Sequence, residues 1–105
     1  MPEPGFVLHP QAAQDITEIW EFIAGDNLGA AQRIREEILE ALRRLSMFPK
    51  QGHLREDLTS RPLRFLRVRE YLIAYAPDEQ PLLVVAVIHG RRSPRTIAAL
   101  LRTRG

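Results

Sequence analysis

The sequence predicts an α+β domain: a short N-terminal strand, an antiparallel two-helix hairpin, three consecutive antiparallel strands and a brief C-terminal helix. Three observations predict it. Apolar residues recur at helical spacing in two stretches between residues 10 and 48, the period shortens to that of strands from residue 63, and the links in the second half are too short for anything but antiparallel neighbours. A chain of 105 residues is one domain, 1–105, and is large enough for an independent core.

Each element follows from local chemistry. Phe6, Val7 and Leu8 form an apolar stretch that suits a first strand, and Pro10 fits the first turn of a helix, where its missing N–H costs nothing. Ile16, Ile19, Trp20 and Ile23 then fall on one face, with Gln14, Asp15, Glu18 and Glu21 opposite, so a helix is expected over 10–24 with that stripe in the core. Gly25 stops it, and Asp26 or Asn27 can cap the next. The second helix carries Ala31, Ile34, Ile38, Ala41, Leu42 and Leu45 inward and ends at Pro49 and Gly52. Strands follow at 63–68, 71–76 and 82–89, joined by a tight link at 69–70 and by the turn sequence PDEQP. The last strand is apolar on both faces and should be central. Ser93 and Pro94 make a cap and first-turn pair for a short helix bearing Ile97, Leu100 and Leu101.

Composition removes several classes of function. No cysteine is present, which excludes disulfides, thiolate zinc clusters and thiol nucleophiles. The three histidines, His9, His53 and His89, lack metal-ligand spacing, so neither a metal nor another cofactor is expected. The start, MPEPGFVLHP, has no basic segment followed by an apolar one, and no apolar run approaches the ~20 residues that cross a bilayer, so a cytoplasmic protein without membrane contact is expected.

The net charge of +2 conceals a polarity. Residues 1–48 hold four Arg against eight acids, and residues 49–105 hold eleven Lys or Arg against five acids. Fourteen of the fifteen cations are Arg, which suits bidentate contact with carboxylate or phosphate, although a GC-rich genome gives the same bias. The charge gathers where the last strand ends, at VIHGRRSPRT (residues 87–96), and in the tail beyond it.

Taken together, PQAAQDITEIWEFIAGDNLGAAQRI in the helices, LSMFPKQGHLREDL in the connection, LRFLRVREYLIAY in the middle strands and VVAVIHGRR in the last resemble the RelE/ParE superfamily of type II toxin–antitoxin toxins. The resemblance covers nearly the whole chain and lies in the order and spacing of weak motifs. It implies a small toxin neutralised by a cognate antitoxin, with operator DNA contacted only through that antitoxin. RelE-like members cut mRNA in the ribosomal A site, whereas ParE-like members bind DNA gyrase and block replication without a known active site.

The residues weigh between these two. Cleavage by a 2′-hydroxyl needs a base, an acid and a cation to hold phosphorane charge. Glu56 or Glu70 is the candidate base, His89 or His53 the acid, and Arg67, Arg91 or Arg92 the clamp. RelE-like nucleases tend to be strongly cationic with a catalytic Tyr or His near the C-terminus, but this tail, TIAALLRTRG, has neither. The favoured expectation is therefore a ParE-like, non-enzymatic toxin directed at DNA gyrase, with the mRNA endonuclease as the alternative. Antitoxin contact is expected at Phe22, Leu39, Arg64, Arg67, Arg91 and Arg92, and target contact at Arg95, Ile97, Leu100, Leu101 and Arg102. Arg64, Arg67 and Arg69 are read as an outer row along the second strand, and Tyr71 and Tyr75 as core residues with wet hydroxyls.

Overall fold

Pro10 and the His9 side chain start the first helix together. In a computed structural model that describes residues 5–105, β1 (Phe6–Leu8) runs directly into α1 (Pro10–Ala24), with His9 Nδ1 accepting from the Gln11 amide at 3.1 Å. Asn27, rather than Asp26, caps α2 (Leu28–Met47), its Oδ1 accepting from Ala30 N at 2.9 Å. Gly25 carries the short turn between the two helices, which lie antiparallel.

Three strands follow: β2 (Arg64–Val68), β3 (Tyr71–Ala76) and β4 (Leu82–His89). They pair antiparallel in sequence, as their short links require. The sheet order is β1-β4-β3-β2, which puts β4 inside as its doubly apolar sequence predicts. β1 lies parallel to β4, Phe6 opposite Leu82 and Leu8 opposite Val84, so the sheet is mixed rather than antiparallel throughout. No hairpin joins β1 to β4, and the direction of β1 is set by its junction with α1.

Both faces of the sheet are covered. The helical hairpin packs Ile16, Ile38, Leu42 and Leu45 against Ile73, Tyr75, Val84 and Val87. The second face holds Leu58, Leu63, Phe65, Val85 and Ile88, and is closed by α3 (Pro94–Thr103) through Ile97 and Leu101. Ser93 and Pro94 start α3 as expected, with Ser93 Oγ accepting from Thr96 N at 3.1 Å. Within the α1 stripe only Ile16 is fully buried; Ile19, Trp20 and Ile23 are half-buried.

Tyr75 departs from expectation. It is completely buried, and its hydroxyl is satisfied by backbone instead of water: Gly52 N donates to it at 2.9 Å, and it donates to Pro49 O at 2.7 Å. A Cβ at Gly52 would come within 2.6 Å of that hydroxyl, so glycine is required at this close approach. Two bonds thus pin the long connection from α2 to β2 onto the sheet. At the β2–β3 link, Arg69 holds φ of 53°, a left-handed conformation that disfavours a branched residue, and its guanidinium grips both oxygens of Glu37 on α2 at 2.5 and 2.8 Å.

Candidate functional site

The end of β4 is where charge and chemistry gather, and strand alternation decides which groups meet. His89 pairs with Tyr71, and Ile88 with Leu72. Arg67 pairs across β2–β3 with Leu72 and so shares its face, whereas His89 shares the face of Tyr71. The sheet therefore stands between His89 and Arg67. On its own face His89 stacks edge-on against Tyr71, with ring centroids 5.4 Å apart, accepts the Arg91 amide on Nδ1 at 3.0 Å, and places Nε2 3.8 Å from Glu70 Oε2. On the other face the Arg67 guanidinium lies over Gly90, where a Cβ would stand 2.6 Å from its nitrogen.

Two grooves flank this strand end. The first, about 490 Å³, opens between α1, the start of α2 and α3, along the side of β4 that β1 leaves uncovered. Ile19, Phe22, Ile23, Ile34, Tyr71 and Leu100 make it apolar, and Glu18, Glu70, His89 and Arg92 rim it. Phe22 is 81% exposed there. Val87 and His89 occupy the register positions whose backbone groups point away from β3: Val87 N donates to Asp15 Oδ2 at 2.9 Å, and His89 O accepts from Arg92 N at 3.1 Å. Val87 O and His89 N accordingly face the groove, a short stretch of strand edge set among apolar side chains.

The second groove, about 360 Å³, lies on the α3 face. His53, Arg55, Arg67 and Arg92 surround a floor of Leu58, Phe65, Leu72 and Ile97. Arg55 is held by both oxygens of Asp57 at 2.9 and 2.8 Å, which drives the Asp57 carboxyl below its ordinary pKa. Glu56 does not line this groove; it sits in the adjoining 54–63 turn.

This ordering of strands, hairpin and strand-end arginines agrees with a family comparison. The family model described as "ParE toxin of type II toxin-antitoxin system, parDE" matches residues 6–94. The chain belongs to the ParE toxin family. It is thus a toxin of the type II toxin–antitoxin class, within the superfamily that the sequence resembles. A search of curated proteins returns no significant match.

The matched segment of this ParE-family toxin ends at Pro94, so nearly all of α3 lies beyond it, and the chain fastens that helix with two arginines the sequence did not single out. Arg104 is buried, donates to Asp15 at 2.6 and 3.0 Å, and also reaches Val85 O at 3.1 Å. Arg61 donates to the carbonyls of Leu101 and Arg104 at 2.9 and 2.6 Å, satisfying the open end of α3. Asp15, assigned by periodicity to the solvent face of α1, instead has a side chain only 14% exposed. No local signal marks this pair, whose members are 89 residues apart in sequence.

The expected contact residues divide in the ParE-family fold. Phe22 and Arg92 share the first groove, and Arg67 and Arg92 the second. Leu39 is half-buried against the helical core and Arg64 clasps Gly52 O at 2.8 Å, so neither stands free at the surface. The three arginines are not a single outer row: Arg64 and Arg67 are three positions apart and lie on opposite faces, and Arg69 is bound to Glu37. Ile97 and Leu101 are buried, a correction to their reading as surface residues, because α3 needs them to hold the sheet; Leu100 is half-exposed in the first groove. Arg91, Arg95 and Arg102 are exposed. His53 exchanges two backbone bonds of 2.8 Å with Phe65, covering part of the β2 edge. Among the described residues no helix is long and apolar enough to cross a membrane.

Proposed function

We propose that this ParE-family toxin acts by binding DNA gyrase, without catalysis of its own, and is neutralised by an antitoxin seated in the first groove. One observation carries the reading: the segment after His89, which forms α3, holds neither a Tyr nor a His, the residue types that RelE-like nucleases tend to carry there. His89 and Glu70 lie on one side of the sheet, Arg67 on the other, and Glu56 away from both grooves. The sheet keeps His89 apart from Arg67, and the acid, base and cation that do share the first groove, His89, Glu70 and Arg92, lie where the antitoxin is seated. The exposed side of α3, with Arg95 and Arg102, is the surface offered to the target, and Ile97 and Leu101 anchor it from beneath.

The first groove suits an antitoxin. Phe22, Ile19 and Leu100 supply apolar contact, Arg92 receives a carboxylate, and Val87 O with His89 N offers backbone pairing to an extended segment. The second reading, a ribosome-dependent mRNA endonuclease, draws on the proximity of His53, Arg67 and Arg92 in the other groove.

Purified protein is expected to inhibit gyrase supercoiling or trap cleaved DNA, to leave ribosome-bound mRNA intact, and to co-purify with the product of the neighbouring gene. His89→Ala should retain toxicity in proportion to its folded fraction. A-site cuts made by the parent and abolished in a well-folded His89→Ala protein would replace this reading with the nuclease.

A further inference from the structure

The second groove has a chemistry that gyrase binding does not use, and of its residues only Arg92 also lines the antitoxin groove. We infer that it binds the phosphodiester backbone of duplex DNA directly, with Arg67 and Arg92 as the phosphate ligands. Such binding is separate from the proposed gyrase target and does not depend on it. It also adds a direct contact to the expectation that DNA is reached only through the antitoxin.

The positive charge of the groove is uncompensated. No acidic residue lines it. Asp57 takes up the charge of Arg55, but Arg67 and Arg92 have no carboxylate within ion-pair range among the described residues. Arg67 and Arg92 thus both line this hollow with no acid bound to either, and guanidinium donors are matched to phosphate oxygens. Gly90 holds this shape open. A side chain there would displace the Arg67 guanidinium, which lies across the glycine, so the groove keeps Arg67 over its mouth.

The floor then selects among nucleic acids. Leu58, Phe65 and Ile97 are 3%, 2% and 3% exposed, so Phe65 presents no face on which an unpaired base can stack. Single strands gain much of their affinity from such stacking, whereas a duplex offers phosphates alone and needs only the cations. The charge distribution acts in the same direction. Residues 49–105 hold eleven cations against five acids and residues 1–48 four against eight, which orients the basic half toward a polyanion. Arg91 and Arg95, exposed beside the groove, extend the positive surface. DNA lacks the 2′-hydroxyl that RNA cleavage needs, so a duplex is held without being cut.

The test is fluorescence anisotropy with a labelled 20-base-pair duplex of arbitrary sequence, titrated with the full-length toxin across a salt series. The parent should bind, and Arg67→Gln/Arg92→Gln should lower the slope of log K against log salt by about two, one for each phosphate ligand removed. Arg33→Gln/Arg35→Gln on α2, an equal charge change outside the groove, should leave the slope at the parental value. Thermal melts establish that each variant is folded. The inference is overturned if the parent does not bind the duplex at low salt, if the α2 pair loses as much slope as the groove pair, or if single-stranded RNA of equal length binds more tightly through the same two arginines. Capture of gyrase subunits in the absence of DNA reads the target proposal separately, so failure of one idea is distinct from failure of the other.

Discussion

Replacing Asp15 by Ala should destabilise this toxin far more than its position on an outer helix face suggests. The carboxylate accepts two bonds from Arg104, at 2.6 and 3.0 Å, and a third from the Val87 amide at 2.9 Å. The two side chains are only 8% and 14% exposed, so solvent screens them little. Removing one partner of such a pair strands the other, at a cost of about 3–5 kcal/mol. Arg104 follows α3 directly and can escape by releasing the last turn of that helix, which limits the penalty to the lower end, about 3 kcal/mol. For a domain of this size that corresponds to a fall in Tm of about 12–20 °C. Arg104→Ala should cost less, because Asp15 keeps its bond to Val87 N. The double variant should cost less than the two singles added, with a coupling of about 2 kcal/mol. Denaturant melts of the four proteins measure the cycle. A coupling below about 0.5 kcal/mol, or an Asp15→Ala protein melting within a few degrees of the parent, would refute the reasoning.

Other residues should respond in ways set by their own surroundings. Tyr75→Phe should cost about 1–3 kcal/mol, since it leaves Gly52 N and Pro49 O without their buried partner. Burial also raises the Tyr75 pKa above the ordinary phenol value, so its contribution is complete below pH ~10 and is lost as pH rises through the folded pKa; alkaline melts should show a smaller loss in Tyr75→Phe than in the parent, the remainder coming from Tyr71, whose pKa burial also raises. Leu42→Asp places a charge at a fully buried position and should unfold the domain, at a cost of about 4 kcal/mol or more; a parental melting curve would contradict the assigned core. Phe22→Asp should leave the melt within about 0.5 kcal/mol of the parent, because Phe22 is 81% exposed, yet weaken antitoxin binding roughly 30-fold by calorimetry; unchanged affinity would place the antitoxin elsewhere.

What the sequence determined by itself was local. Helical spacing, the proline and cap residues at 10, 26 or 27 and 93–94, and the short strand links are chemistry within a few residues, and each places its element with bounds close to those observed. The apolarity of 82–88 on both faces was enough to make β4 central. Alternation along β2 and β3 even contained the separation of Arg67 from His89, once the register of Leu72 with Ile88 was known.

The tertiary structure alone decided the rest, and in each case the partners are distant in the chain. Asp15 was inseparable from its neighbours on the polar face of α1 until folding brought it against the uncovered edge of β4 and the guanidinium of Arg104. Ile97 and Leu101 look like one side of an exposed amphipathic helix, and only the bare second face of the sheet makes them core. The hydroxyl of Tyr75 finds backbone partners because the 48–63 connection crosses above it. Periodicity tells which side of an element is apolar; which neighbour that side meets, and which polar group must be satisfied inside, depends on contacts between residues far apart in sequence.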